Sequence, residues 1–176
     1  MKKVLIAIVV IIAIPLIAAA FMPTEMSYQS SVAINGSVEE VWNSTNSLEK
    51  MNAWSPWTAK DPNQKQSMEG NEGMVGSKHC WESEVEEVGI GCQTITSVTA
   101  PNRLETKLEF QTPYESEAKA FITVEDNGSG STVTWGFIGD MPYPMNIMIP
   151  FMDMEESMGT EFNSGLNNLK SIVENS

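Results

Sequence analysis

Hydrophobic and polar positions change their period twice along the chain. Residues 4–22, "VLIAIVVIIAIPLIAAAFM", are an uninterrupted apolar run of 19 without a charge. As a helix rising ~1.5 Å per residue, such a run crosses the hydrocarbon of a bilayer. Beyond Pro23, apolar and polar residues alternate in short bursts, the period of half-buried strands. Strands are predicted over residues 26–35, 65–69, 76–84, 90–98, 103–110, 115–125 and 132–139. Short turns separate the last six, and the Asn-Gly of "EDNGSGS" is a strong hairpin signal, so the sheet should be antiparallel. Near the end the period lengthens. Met154, Met158, Phe162, Leu166, Leu169, Ile172 and Val173 fall on one helical stripe, with Asp153, Glu155, Glu156, Glu161, Asn163, Asn167 and Lys170 between them. A long amphipathic helix covering a sheet face is predicted there.

Two short helices should follow the first strand. Ser37-Val-Glu-Glu40 is a capping-box pattern, with Val41 and Trp42 as the apolar side behind it. The second, over residues 48–53, stops at "WSPW", because a residue preceding proline avoids the helical region. No repeat or second domain is visible in the 176 residues. The organisation is an N-terminal segment, 1–22, and one domain, 23–176.

Charge sets the expected topology. Lys2 and Lys3 precede the apolar run, and no basic residue follows until Lys50. The positive-inside rule places the N-terminus in the cytoplasm and residues 23–176 outside it, periplasmic or otherwise extracytoplasmic, on a single-pass anchor. A second reading is a signal peptide cleaved at the small residues Ala18, Ala19 and Ala20, which yields a secreted domain. Either way the domain is exported. Beyond Pro23 there remain 8 basic residues against 23 acidic, a charge near −15. That charge repels nucleic acid and anionic headgroups, so nucleic acid is not expected as a partner.

The order of strand, two short helices, six strands and long helix resembles the helix-grip fold of the START-like, SRPBCC superfamily, and within it the polyketide cyclase/dehydrase-type branch with a membrane segment. The stretches that carry the resemblance are "VAINGSVEEVW", "WSPW", "GMVGSKHCWESEVEEVGIG", "ITSVTAPNRLETKLEF", "STVTWGF" and "FNSGLNNLKSIVE". The resemblance implies an α+β domain, a seven-stranded curved antiparallel sheet wrapped around the C-terminal helix, with an apolar cavity between them. It leaves function open, since one fold hosts carriers, cyclases, hydrolases and receptors.

"KHCWESEVEEVGIGC" holds the single histidine and both cysteines. Strand residues alternate faces, so His79 and Trp81 share one face with Gln93 and Ile95 of the returning strand. Cys80 and Cys92 point the other way, and a hairpin folded about Glu86 sets them opposite each other. A disulfide is the leading expectation, as two cysteines in an exported domain suggest; two unpaired, half-buried thiols are the alternative. His79 and Cys80 lie on opposite faces, so they cannot converge on a metal or act as a catalytic pair. No metal site is expected. His79 is either a polar group of the cavity or a hydrogen-bonded wall residue.

In the fold it resembles, "WSPW" lies near the cavity mouth, which brings Trp54 and Trp57 to a ligand or to the core beneath the loop. Met141, Met145, Met148, Met152, Met154 and Met158 crowd one segment, where flexible thioethers suit either core filling or the gate of a lipophilic pocket. Gly165, beside the helical stripe, makes room for a strand or a ligand. No nucleophile elbow, phosphate-binding glycine loop or catalytic set is present, so no catalytic residue and no cofactor are expected. The expected ligand wall is Trp54, Trp57, His79, Trp81, Gln93, Ile95, Leu108, Phe110, Trp135, Met158, Phe162 and Leu166. The expected function is binding of a small lipophilic molecule by a membrane-held domain. The rivals are a cyclase- or hydrolase-type enzyme acting on such a molecule and a structural module with a filled core.

Overall fold

The computed structural model describes residues 2–112 and 114–176, and for residues 5–8 the backbone alone. The N-terminal run forms α1 (Lys2–Ala19), long and apolar enough to cross a membrane. Its described side chains are mostly exposed until Ala19, which is buried. The domain then runs β1 (Glu25–Ile34), α2 (Val38–Asn43), α3 (Leu48–Asn52), α4 (Pro56–Lys60), β2 (Lys65–Glu69), β3 (Lys78–Glu82), β4 (Ile90–Thr99), β5 (Arg103–Thr112), β6 (Ser116–Asp126), β7 (Ser131–Asp140) and α5 (Thr160–Glu174).

The seven strands form one antiparallel sheet in the order β1-β7-β6-β5-β4-β3-β2. Hairpins make every neighbour except β1–β7, which closes the first strand onto the last. Period-two burial follows: Ala118, Ala120, Ile122 and Val124 of β6 face inward with Val133 and Trp135 of β7. α5 lies across this face and contributes Phe162, Leu166 and Leu169 to the core. Register in β4 shifts between Ile95 and Ser97. A β-bulge there lets Ile95 and Val98, three positions apart, both pack on the core.

The capping box at Ser37 and Glu40 forms as its sequence pattern predicts. "WSPW" does end α3, but it also opens a third short helix. Ser55 is extended and Pro56 takes the first turn of α4, where its fixed φ fits and its missing N–H has no helical partner to lose. The C-terminal helix is shorter in α geometry than the apolar stripe suggests. Residues Met145–Phe151 wind as a 3₁₀ helix and Glu155–Gly159 as a π turn before α5 begins. Ile172 is 39% exposed, because Val173 takes the inward position, against Gly36.

Two glycines exist for close approach. A Cβ on Gly165 would lie 2.8 Å from the Trp135 ring and 3.1 Å from Pro56. The gap in the helical stripe is therefore filled by the sheet. A Cβ on Gly91 would lie 2.7 Å from Trp81, its cross-strand partner. On the outer face, Cys80 pairs with Cys92 in the β3–β4 register and the two are joined in a disulfide, Cα atoms 4.0 Å apart.

Gly165→Ala should destabilise the domain by about 1–3 kcal/mol through overpacking against Trp135, read as a lower denaturation midpoint at unchanged slope. The disulfide should contribute about 2–3 kcal/mol by closing its short loop. Oxidised, denatured protein should expose no alkylatable thiol and gain two on reduction, and the reduced form should unfold at a lower midpoint.

Candidate ligand-binding cavity

Sheet curvature and side-chain size together leave a space. On the inward face, Gln93, Leu108, Ala118 and Gly139 form one cross-strand row, and Ile95, Thr106, Ala120 and Phe137 the next. Ala120 sits mid-sheet and lines the space, where a larger residue would fill the gap to α5. α3 and α4 close the opposite wall with Met51, Asn52, Trp54 and Trp57. The result is a cavity of about 290 Å³.

Of the residues expected from sequence, Trp54, Trp57, His79, Trp81, Gln93, Leu108, Phe110, Trp135, Met158 and Phe162 line this space. Ile95 and Leu166 are each 1% exposed and sit in the packed core. Asn52, Val88, Ala120 and Phe137 also line the cavity and were not singled out. The inward parity of "AKA" in β6 carries the signal for Ala120. Asn52 and Val88 arrive from a helix end and a loop, which strand parity does not reach. The Met-rich segment differs from expectation: Met158 alone of its six methionines reaches the cavity. Residues Met145–Phe151 instead turn toward the end of α1, where the Asn146 amide donates to backbone carbonyls.

The back wall is an aromatic cluster. Trp135 stacks on Phe162 with centroids 4.4 Å apart, and Trp54 and Trp57 meet Trp135 edge-on at 4.9 and 5.6 Å. Trp54 Nε1 donates to the Ser44 carbonyl at 3.0 Å and so locks the α2–α3 region beneath it. Trp81 Nε1 donates to the Val88 carbonyl at 3.1 Å, holding the β3–β4 loop over the space. Trp57 and Trp135 have no acceptor for their indole N–H among the described hydrogen bonds. Asn146 Oδ1 is the one fully sealed unpaired side-chain polar atom among the described residues. The Trp135 N–H therefore opens on accessible space.

Few polar groups reach the cavity. His79 is 4% exposed, and Asn52 Nδ2 lies 3.2 Å from its Nε2 and 3.3 Å from its Nδ1. Burial pushes the imidazole below its ordinary pKa, because the charged form loses its hydration. The neutral ring keeps one lone pair for the Asn52 amide to donate to. Gln93 Nε2 donates to Thr106 Oγ1 at 2.8 Å, which in turn donates to the Ala120 carbonyl at 3.4 Å. Among the described residues, His79 bonds neither a hydroxyl nor a carboxylate, so no activated nucleophile is assembled on it. Glu87, at the loop, is the one carboxylate among the described lining residues.

An antiparallel sheet gripping one long helix over an apolar cavity defines the helix-grip class. The chain belongs to the polyketide cyclase/dehydrase and lipid transport family, whose model matches residues 25–174. Solved structures share the fold at low identity. An uncharacterized protein from Rhizobium leguminosarum is 9% identical with a TM-score of 0.63, covering 86% of this chain and 96% of its own. A protein from Nitrosospira multiformis is 17% identical at TM-score 0.58, covering 83% and 94%. The di-domain ARO/CYC StfQ from the steffimycin biosynthetic pathway is 7% identical at TM-score 0.64, covering 86% of this chain and 51% of its own. No curated protein sequence matches the chain significantly.

His79 links the cavity to pH. Its folded pKa is lowered, so its contribution to stability is fully present above the unfolded value near 6.5 and is lost as pH falls from there toward the folded value. The stability difference between wild type and His79→Gln should therefore shrink below about pH 6.5, by at most ~1.4 kcal/mol per pH unit. Denaturation series at stepped pH values would measure it; a constant difference would show that His79 does not titrate on unfolding.

Proposed function

We propose that this chain is a membrane-tethered, extracytoplasmic domain that binds a small lipophilic molecule between its sheet and α5. The observation that carries the reading is the cavity of about 290 Å³, walled by tryptophan, phenylalanine, leucine and methionine and served by a few polar groups. Its size is near the lower end of small-molecule sites, about 300 Å³, so a compact lipophile is the fitting ligand. Apolar body contacts would supply affinity. The Trp135 indole N–H and the free Oε1 of Gln93 would orient a carbonyl or hydroxyl.

The tether is supported by the length and composition of α1 behind Lys2 and Lys3. An oxidising, extracytoplasmic compartment is supported by the Cys80–Cys92 disulfide. A second reading, an enzyme acting on the same ligand, draws on His79: its neutral imidazole inside the cavity could serve as a general base.

The full chain in nanodiscs should bind an uncharged lipophilic dye with quenching of tryptophan fluorescence. Ala120→Phe, which fills the cavity from the sheet side, should weaken binding at least about tenfold, ~1.4 kcal/mol, while circular dichroism stays that of the folded protein. Native mass spectrometry of protein purified from its own host should detect a retained lipophile. Turnover of that molecule, lost in His79→Gln, would favour the enzyme. Equal dye signal in wild type and Ala120→Phe, with no retained molecule, would sink the binding reading.

A further inference from the structure

Asn146 is 1% exposed in the 3₁₀ segment and is not among the residues that line the cavity. Its amide Nδ2 donates to the Ala19 carbonyl at 2.7 Å and the Met22 carbonyl at 3.1 Å. Those carbonyls stand where α1 ends. The segment Met145–Phe151 is thus fastened to the point at which a membrane helix would leave the hydrocarbon.

The surface around that point is unusual. Phe21 is 87% exposed and Phe151 80%, with Tyr143, Met145, Met148 and Met152 also exposed beside them. Residues 141–152, "MPYPMNIMIPFM", carry no charge in a chain of net charge −13. A cluster of exposed large apolar side chains marks an interaction surface. Aromatic residues at the end of a membrane helix suit the headgroup layer. The flanking groups are acidic: Asp140 on one side, Asp153, Glu155 and Glu156 on the other. They would repel anionic lipid and tolerate a zwitterionic surface.

We infer that residues 141–152 form a second membrane contact, lying in the interface of a zwitterionic bilayer beside the exit of α1. The inference rests on the reading of α1 as a membrane helix. It deepens that reading by fixing how the domain sits. β1 begins at Glu25, opposite Asp140 at the end of β7, and Glu82, Ile90 and Thr112 mark the same end of the sheet. Trp81 and Phe110 line the cavity near this end. With α1 and residues 141–152 both in the leaflet, the cavity end of the sheet faces the membrane. A lipophile would then pass between bilayer and cavity with little exposure to water.

Because Cys80 and Cys92 are paired, one added cysteine takes a nitroxide uniquely. The full chain in phosphatidylcholine nanodiscs would carry the label at Met148→Cys, Phe151→Cys, Ile11→Cys or, at the hairpin tip of the opposite sheet end, Ser129→Cys. Collision with oxygen relative to a water-soluble nickel chelate reports lipid against water. Labels at 148, 151 and 11 should give ratios several-fold above that at 129. A lipid-like label at 11 with water-like labels at 148 and 151 would overturn the inference and leave the tether standing. Labels at 148 and 151 shielded from both reagents would mean a protein partner or second copy covers the segment, and would overturn it too. A water-like label at 11 would remove the tether and the inference together.

Discussion

The contact on which the rest of the domain depends is that of the Trp135 indole with the backbone of α5 at Gly165. With no side chain at Gly165, the ring meets the helix directly, and Phe162 stacks on it from one turn earlier. Trp54 and Trp57 close on its edges from the α3–α4 corner. One side chain of β7 therefore touches both layers that oppose the sheet and sets the distance between them. Such contacts hold side chains at crystal-like density, so the separation is fixed and not adjustable.

The cavity is the consequence of that fixed separation. Where Trp135 fills the gap the core is closed; where β6 offers only Ala120, the same gap is left open. Enclosing polar groups in such a place is costly unless they find partners. Asn52 partners His79, and Thr106 partners Gln93, while Glu87 at the loop is the one carboxylate among the described lining residues. One fold hosts many functions, so function is argued from the site.

The outer face of the β3–β4 hairpin carries a complementary constraint. The disulfide staples it from outside, where the cysteines do not compete for cavity space. Inside, Trp81 lies over Gly91 and ties the loop at Val88, while Ser83 donates to Asp61 at 2.5 Å. This hairpin, one strand in from the β2 edge of the sheet, thus combines a covalent link with two hydrogen bonds.

Strand parity and helical period made much of this legible in advance. The alternation at His79, Cys80 and Trp81 assigned faces correctly, and folding the hairpin about Glu86 put Cys80 opposite Cys92, because strand geometry is local and the turn fixes its register. Of the ten expected wall residues that share the cavity, eight follow from strand parity or the helical stripe, whereas Trp54 and Trp57 were expected from the resemblance to the family fold. Ile95 and Leu166 lie on the inward faces yet reach no open space, since parity tells which way a side chain points and not how far the opposing layer stands. Asn52 and Val88 come to the wall from a helix end and a loop, which strand parity does not reach. The methionines of residues 141–152 were expected to fill the core or gate the pocket; their place at the end of α1 depends on Asn146 meeting carbonyls more than a hundred positions away in sequence. Residues close in sequence determined the elements and their faces; the distances between layers, and hence the cavity, were decided only when remote segments packed together.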